Sequence, residues 1–438
     1  MPCVTRCFIL FNMRVLLVYP RYGYHNAGGF QEPLGILYIA GALERAGHET
    51  EVWDLSFEQS QPSIEKRLDG VGMLGISSST ALYGRALEIL RAAKESRPDT
   101  QVVLGGPHAT AMPERVVEDG FDVAVVGEGE ISAPALATAI EKHVPLDSVP
   151  GITWKENGDI RSTPRAGFIE KIDSLPHPDR SLINYAKYLE NGLGQVGVVA
   201  MRGCPYGCTY CKPMQDKLFG KKIRRRSADD VALEVDAIAR DIYDRVLFRD
   251  DAFSTHTPEW FDGLGERLRE MGTPLWGWAC QGRVDQVDPE KLDAMKKAGL
   301  RMMAFGVESG SRKILDYYRK GITPEQAVRA FDLCREREIA THAFIMIGAP
   351  IETAEDVELT IKLLERLRPN SISPSITTPA PGTRLYDDTV EKGIYNIKDW
   401  TDVDYMANTR PLELPYLTVE QVLEAKEKMA AMGIGYGV

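Results

Sequence analysis

Short β-rich runs alternate with helical segments along two long stretches of the chain, and this alternation limits the fold more than any other feature. Strands joined through helices run parallel, and a parallel sheet needs helices on both faces. In the first stretch, strands are predicted at residues 15–19, 50–54, 73–77, 101–105 and 122–126. The pattern predicts an α/β, doubly wound (Rossmann-like) domain over residues 13–144, with ligand loops at the carboxyl ends of its strands.

The second stretch repeats the strand–helix unit six times. Its predicted strands are residues 198–202, 245–249, 276–280, 302–307, 341–347 and 371–377. Six βα units predict a partial (β/α)6 barrel over residues 194–395, with chemistry at the carboxyl ends of the strands. The remaining segments are an extension at residues 1–12, a proline-rich connector with a small hairpin at 145–193, and a C-terminal helical tail at 396–438.

Bulk properties narrow the class of protein. A chain of 438 residues predicts two or three domains. Its formal charge of −11 argues against a general nucleic-acid binder, and no apolar run approaches the roughly 20 residues of a membrane span. We expect no secretion signal and a cytoplasmic location, because the three clustered cysteines among seven favour a metal site over disulfides.

Three cysteines follow the first predicted barrel strand. Cys204, Cys208 and Cys211 are separated by three and two residues, and Gly203 and Gly207 are expected to permit a tight loop. Thiolates in this pattern favour an iron–sulfur cluster, and three ligands on four irons leave one iron open. The alternatives are structural zinc, with Cys280 as a possible fourth ligand, and three inert buried thiols. A further pair, Cys3 and Cys7, lacks a third ligand and is interpreted as non-functional.

The cysteine motif resembles that of radical S-adenosylmethionine (SAM) enzymes, which also have an aromatic residue, here Tyr210, before the third cysteine. Five further strand-end segments extend the resemblance, at residues 249–253, 281–285, 305–310, 347–353 and 379–383. The resemblance implies a 4Fe-4S cluster on the three cysteines and cleavage of SAM to a 5′-deoxyadenosyl radical. It also implies an external electron donor, a flavodoxin- or ferredoxin-like protein.

Within these segments the resemblance implies contacts to the two charged groups of SAM. Asp250 and Asp251 are candidates to accept hydrogen bonds from its amino group, or alternatively to cap the following turn. Arg283 is suited to pair with the SAM carboxylate, and the alternative is a surface ion pair.

Other strand-end residues suit the nucleoside part of SAM. Glu308 and Ser309 can hydrogen-bond the ribose hydroxyls, unless they only cap their own loop. Ile347 could pack on the adenine, although apolar strand residues belong to the core by default. Together with Tyr210, these residues complete the candidate SAM site.

The first domain carries three loops of small and polar residues at predicted strand ends, and it resembles the cobalamin-binding domain of one radical SAM class. The candidate cobalamin residues are Ser77, Ser78, Ser79, Gly105, Gly106, His108, Gly127, Glu128 and Gly129. Alternatives are a plain hydroxyl-rich turn, ordinary hydrogen bonding by His108, or a domain that no longer binds cobalamin. The chain contains no Asp-x-His, so we expect no protein histidine on cobalt.

The resemblance implies cobalamin-dependent methyl transfer to an unactivated carbon of a small-molecule or biosynthetic precursor. A cyclase, an oxidation or a rearrangement within the same class is the alternative. A non-catalytic corrinoid- or iron–sulfur-binding protein is an alternative of another class. Release of 5′-deoxyadenosine from SAM distinguishes an enzyme from a binding protein.

Overall fold

The computed structural model describes residues 13–21, 31–58, 63–395 and 412–433. The extension at residues 1–12, with Cys3 and Cys7, lies outside the described residues. The chain divides into two compact units. The first comprises Met1–Gly23, Pro33–Phe168 and Leu175–Lys187, and the second comprises Tyr24–Glu32, Ile169–Ser174 and Tyr188–Val438. Among the described residues, no helix has the length and apolar character needed to cross a membrane.

The first unit is built on a seven-stranded sheet of order β2-β1-β3-β4-β5-β6-β7. Its strands are β1 (Arg14–Tyr19), β2 (Glu49–Asp54), β3 (Met73–Ser77), β4 (Gln101–Gly105), β5 (Val123–Val125), β6 (Ile152–Glu156) and β7 (Asp159–Ser162). Strands β1 to β5 are parallel, which confirms the predicted doubly wound fold. The strand order reverses between β1 and β3, and such a switch point is where ligands bind in sheets of this kind.

The hairpin predicted in the connector is present, and it extends this sheet. Strand β6 pairs antiparallel with β5, and the side chain of Trp154 is buried against the sheet. The outer strand β7 is exposed along its whole length, as a polar edge strand should be.

Helices flank the parallel strands of the first unit. They are α1 (Leu34–Arg45), α2 (Tyr83–Ser96), α3 (Pro107–Ala111), α4 (Pro113–Glu118) and α5 (Gly129–Lys142). Helix α1 buries an almost continuous apolar face and ends before Gly47, whose φ of 92° supplies the left-handed residue predicted there. A short helix, α6 (Tyr185–Glu190), follows in the segment between the two sheets.

The second unit is built on six parallel strands paired in chain order. They are β8 (Val196–Val198), β11 (Arg245–Phe248), β12 (Gly277–Gly282), β13 (Leu300–Glu308), β14 (Ala340–Ile347) and β15 (Ser371–Ile376). The first and last strands, β8 and β15, do not pair with each other. The predicted partial barrel is therefore confirmed.

The first barrel strand is shorter than predicted. Strand β8 ends at Val198, and the next two-residue strand, β9 (Met201–Arg202), pairs antiparallel with β10 (Arg224–Arg225). The chain turns here because the Asp250 carboxylate accepts hydrogen bonds from the amides of Ala200 and Met201, which removes them from the barrel sheet.

The free edge of β8 is covered by a single carboxylate. Glu32, which belongs to the second unit, accepts hydrogen bonds from the Gly197 amide and from Arg249 Nη2, the latter at 3.0 Å. Glu32 thus gives this buried edge amide a hydrogen-bond acceptor.

Helices connect the barrel strands, and the last two of those described follow β15. They are α7 (Met214–Phe219), α8 (Ala228–Asp241), α9 (Pro258–Met271), α10 (Pro289–Lys297), α11 (Arg312–Tyr317), α12 (Pro324–Glu336), α13 (Ala354–Leu367), α14 (Arg384–Glu391) and α15 (Val419–Ala430). Along β14, every second side chain from Thr341 to Ile347 is buried, and those between are only half-buried. One side of β14 is thus sealed and the other is more open. The helix predicted in the tail is α15.

Candidate active site

The cysteine loop follows β9 and folds on its own backbone. The Cys211 and Lys212 amides both donate to the Cys208 carbonyl, at 3.1 and 2.9 Å. Gly203 has φ 94°, and a Cβ at this position would overlap the carbonyl of Lys222, so glycine is required there. The expectation for Gly207 is wrong: an added Cβ would meet no atom within 4 Å, and its φ is not left-handed.

The three thiols of the loop are free and close enough to influence one another. Burial raises the pKa of Cys204, and burial together with the neighbouring Cys208 raises the pKa of Cys211 to about 12. Ligand binding must therefore displace protons from these groups. Within the described residues, no three His, Cys, Asp or Glu side chains are grouped tightly enough for one metal ion. The thiols fit a four-iron cluster, because such a cluster takes each thiolate on a separate iron.

The fourth ligand considered for zinc, Cys280, lies elsewhere. Its thiol is completely buried in β12. The ionisable groups that influence the pKa of this thiol are Cys334 and Asp250, and not the three cysteines of the loop. Cys280 is a core residue.

Tyr210, Glu308 and Lys320 form a buried polar group beside the cysteine loop, which we call the Glu308 cluster. Lys320 Nζ donates to Glu308 Oε1 at 2.7 Å and to the Tyr210 hydroxyl at 3.0 Å, and that hydroxyl donates to Glu308 Oε1 at 3.0 Å. The Glu308 and Lys320 side chains are each 8% exposed. Burial, and then the Glu308 charge, raise the pKa of Tyr210, so the phenol stays protonated.

An irregular end of β13 directs Glu308 into this cluster. The register with β14 shifts between Gly306 and Glu308, and Glu308 itself has φ 62°. A Cβ on Gly306 would lie 2.6 Å from Glu308 Oε1 and 2.7 Å from Lys320 Nζ, so a side chain there would displace these two groups. A bulge that re-aims a side chain is common beside active sites.

Arg283 is buried and already paired. Its Nε and Nη2 atoms donate to the Asp285 carboxylate at 2.9 and 3.0 Å, and Nη2 also donates to the Lys320 carbonyl at 2.8 Å. The guanidinium carbon lies 3.7 Å from the ring centroid of Tyr206 in the cysteine loop. The ion pair given as the alternative therefore exists, but it is buried, and it connects the cysteine loop to Lys320.

The two candidate aspartates have different surroundings. Asp250 is buried, binds the backbone amides described above, and has its pKa raised by burial. Asp251 is exposed, accepts a hydrogen bond from Gln215 Nε2 and lies close enough to Cys204 to influence its thiol. Of the two carboxylates, that of Asp251 is the exposed one near the cysteines.

Two further candidates point into the protein. The Ser309 hydroxyl is fully buried, lies 3.1 Å from the Thr360 hydroxyl and accepts a hydrogen bond from the Ser311 amide. Ile347 is 1% exposed and belongs to the sealed face of β14. These placements favour the loop-capping and core interpretations over the ribose and adenine contacts.

Sequence reasoning missed Lys320 entirely. It follows helix α11 by three residues, and no periodicity or motif distinguishes it from the other lysines. Only the fold brings it to Glu308, twelve residues earlier in the chain.

In the first unit, the loops after β3 and β4 hold each other. The Ser78 amide donates to the Gly105 carbonyl, and the His108 amide donates to the Ser78 carbonyl, both at 3.0 Å. Gly106 has φ 92°, and a Cβ there would lie 3.0 Å from the Ser78 carbonyl oxygen. Gly106 is therefore required by the protein's own backbone. At Gly105, in contrast, an added Cβ would meet no protein atom within 4 Å.

The hydroxyls of this loop are only partly engaged. Ser77 and Ser79 are half-buried at its two ends, and the Ser78 hydroxyl donates to the Ser79 carbonyl at 2.7 Å. The Ser79 hydroxyl is buried and has no hydrogen-bond partner among the described residues. A ligand placed over Gly105 could supply one, which fits the predicted cobalamin loop.

His108 lies inside the first unit. Its ring is fully buried, stacks on Tyr83 at 3.8 Å between centroids, and has Nδ1 3.1 Å from the Thr80 hydroxyl. Burial lowers its pKa to about 4, so the ring is neutral. The structure favours ordinary hydrogen bonding over a corrinoid contact.

The third loop is held by packing. The Gly127 amide donates to the Thr110 hydroxyl at 2.9 Å, and Glu128 is buried at the start of α5. A Cβ on Gly129 would lie 2.8 Å from Ile39 Cδ1, so this glycine permits the close contact of α1 and α5. Gly129 thus has a packing role between these two helices, and its predicted contact with cobalamin stays a prediction.

Two protein families match the sequence, one in each half. Residues 22–137 match the B12 binding domain, and residues 198–364 match the radical SAM superfamily. The chain is 30% identical over 427 residues to an uncharacterized methyltransferase of Pyrococcus horikoshii, covering 95% of this chain and 91% of that protein. It is also 30% identical to the anaerobic magnesium-protoporphyrin IX monomethyl ester cyclase of Rubrivivax gelatinosus, covering 87% of this chain and 70% of that protein.

Among solved structures, the fold is similar to that of the radical S-adenosylmethionine methyltransferase TsrM from Kitasatospora setae, determined with cobalamin and a 4Fe-4S cluster bound. The TM-score is 0.73 at 22% identity, covering 86% of this chain and 75% of that chain. The radical SAM match implies a 4Fe-4S cluster and SAM, and the B12 match implies cobalamin, as the sequence predicted. The chain belongs to the radical SAM enzymes that carry an amino-terminal B12-binding domain.

Proposed function

We propose that this enzyme transfers a methyl group, in a cobalamin-dependent reaction, to an unactivated carbon of a small molecule. The proposal rests on one observation. The chain contains a B12-binding match followed by a radical SAM match, and 95% of its length aligns with the uncharacterized methyltransferase of Pyrococcus horikoshii. When bound, the iron–sulfur cluster supplies the electron that cleaves SAM, and cobalamin supplies a transferable methyl group.

The protein's own residues bind, orient and exclude water. Cys204, Cys208 and Cys211 would hold the cluster, and the Glu308 cluster lies directly beside them through Tyr210. The positive charge of Lys320 and the negative charge of Glu308 are both buried, so they are held in fixed positions beside the proposed SAM site. Asp251 is the acceptor for the SAM amino group, and Arg283 is a donor for its carboxylate.

Anaerobic reconstitution tests the assignment of the cluster. We expect about four irons per chain and broad absorption near roughly 400 nm, both lost when Cys204, Cys208 and Cys211 are replaced by alanine. Cys280→Ala is the matched control and should keep its iron, because this thiol lies in the core. Stoichiometric zinc without iron in protein purified under nitrogen would overturn the assignment.

Product analysis tests the methyl transfer. With SAM, cobalamin and a small-molecule pool, we expect 5′-deoxyadenosine and a product heavier by one methylene unit. A product formed without added mass, together with 5′-deoxyadenosine, would instead favour ring closure or oxidation. The 30% identity to a cyclase over 87% of this chain makes that the second candidate.

The setting of the reaction is part of the proposal. The five described cysteines are all free thiols, which favours a reducing compartment such as the cytoplasm. Such a compartment also provides flavodoxin- or ferredoxin-like proteins as the external electron donor.

A further inference from the structure

A short segment of the second unit has the opposite charge to the rest of the protein. Residues 212–226 contain seven lysines and arginines and one acid, Asp216, whereas the whole chain has a formal charge of −11. Such a local reversal of sign creates a positive field that attracts acidic partners.

Three of these seven cations point inward and serve the fold. Lys212 bonds the Cys204 carbonyl at 2.8 Å, Arg224 bonds the Phe219 carbonyl at 2.7 Å, and Arg226 is buried against Asp230 and Glu234. Their charges are shielded from a partner.

The other four, Lys217, Lys221, Lys222 and Arg225, are exposed, and we call them the cationic surface. Nearby acids neutralise it only in part. Lys222 pairs with Glu170 at 2.5 Å, and Lys221 lies 3.8 Å from Asp216. Arg225 bonds the Thr255 carbonyl at 3.0 Å. Asp251 and Asp173 also border this segment, through Gln215 and the Ser227 amide. Lys217 and Arg225 form no ion pair among the described residues, so the surface keeps an excess of positive charge.

The cationic surface is attached to the cysteine loop by its own backbone. The Cys204 amide donates to the Gly220 carbonyl at 3.3 Å, and the Gln215 amide donates to the Cys211 carbonyl at 3.0 Å. Gly203 lies directly against the Lys222 carbonyl. A protein bound at these side chains would therefore be held next to the cluster.

We propose that the cationic surface docks an acidic one-electron carrier protein containing a flavin or an iron–sulfur centre. The inference rests on the proposed function, which requires a reduced cluster. One electron passes to the oxidised cluster, the carrier is oxidised by one electron, and no atom or proton need move between the proteins. Charge complementarity raises the association rate of such a pair more than its final affinity.

The test measures reduction of the reconstituted holoprotein by a reduced acidic flavodoxin in anaerobic stopped flow, following the loss of cluster absorption. Lys217→Glu/Lys221→Glu should slow this reduction about tenfold or more at low salt, and high salt should narrow the difference. The matched control is Lys296→Glu/Lys297→Glu. These two exposed lysines end α10, which leads into the amino end of β13, away from the cysteine loop.

A small-molecule electron donor, which needs no docking surface, tests the SAM cleavage on its own. With photoreduced deazaflavin, both double variants should release 5′-deoxyadenosine at the wild-type rate, so the proposed function would stand even if docking failed. If charge reversal disturbs folding, the neutral variant Lys217→Gln/Lys221→Gln takes its place, and it should show an intermediate slowing because it removes the positive charges without adding negative ones. The proposal would be overturned if flavodoxin reduced the cluster of the wild type and of the variants at equal rates. It would also be overturned if salt left the reduction rate of the wild type unchanged. Loss of binding to a short labelled RNA, with flavodoxin reduction unchanged, would also overturn it.

Discussion

Lys320 Nζ lies 2.7 Å from Glu308 Oε1, and both side chains are 8% exposed. A buried pair of opposite charges contributes little net stability, but losing one member leaves the other charge uncompensated. The pair also fixes the hydroxyl of Tyr210, which lies in the loop between Cys208 and Cys211.

Removing one charge of this pair should therefore destabilise the protein. We expect Glu308→Gln to lower the free energy of unfolding by about 3 kcal/mol, and Glu308→Gln/Lys320→Met to recover most of that loss. Urea denaturation of the unreconstituted protein measures both. Calorimetric titration of the reconstituted protein with SAM should show weak binding in the single and the double variant. Full SAM affinity in the double variant would mean that the pair serves folding alone.

Arg283 offers a second test of the SAM site. Arg283→Ala should weaken SAM binding by about 2 kcal/mol, the scale of a charge-assisted hydrogen bond, while the iron content stays constant. Arg283→Lys should be only partly effective, because an ammonium cannot span both oxygens of Asp285 and also reach the Lys320 carbonyl. If SAM affinity is unchanged while the melting temperature falls, Arg283 has only its structural role.

The parts that the sequence predicted are those encoded by local pattern. The spacing of Cys204, Cys208 and Cys211 and the run of strand-end segments need no knowledge of tertiary contacts. The parts that it missed depend on where distant segments meet. Lys320 reaches Glu308 only through the bulge in β13, and Glu32 satisfies Gly197 from 165 residues away. Gly207 and Gly129 show the same limit, since only the fold reveals that Gly129 has a close neighbour in Ile39 and that Gly207 has none.

Glu352 should make stability depend on pH. Its buried carboxylate accepts hydrogen bonds from the amides of Gly348 and Ala349, and burial raises its pKa to about 7. The unfolded chain has the ordinary value near 4.5, so it releases this proton first as pH rises. Stability is therefore lost progressively between about pH 4.5 and 7, by about 3 kcal/mol in all.

Glu352→Gln keeps an oxygen for both amides and removes the charge. The difference in unfolding free energy between wild type and this variant should change across pH 4.5 to 7 and be constant above pH 8. Glu355→Gln, at an exposed position of α13, is the matched control and should run parallel to wild type. A constant difference for Glu352→Gln across the whole range would show that Glu352 is ionised in the folded protein.

The last prediction concerns cobalamin and the space above Gly105. Gly106 cannot test that space, because its φ of 92° and its contact with Ser78 make any side chain there disruptive in itself. At Gly105 an added Cβ meets no protein atom within 4 Å, so Gly105→Leu should fold normally and yet obstruct a corrin ring at the end of β4. The exposed Gly167 has equally open surroundings, and Gly167→Leu is the matched control.

We expect Gly105→Leu to lose cobalamin, measured by absorption after gel filtration, while it retains its iron and releases 5′-deoxyadenosine without methylated product. Gly167→Leu should retain all three properties. Because His108 is buried and the chain has no Asp-x-His, cob(II)alamin bound to the wild type should show no nitrogen superhyperfine splitting from a protein histidine in its electron paramagnetic resonance spectrum. Normal cobalamin uptake by Gly105→Leu would show that the corrin does not bind over this loop. If the wild type takes up no cobalamin, the proposed cobalamin-dependent reaction is wrong, but the assignment of the iron–sulfur cluster is unaffected.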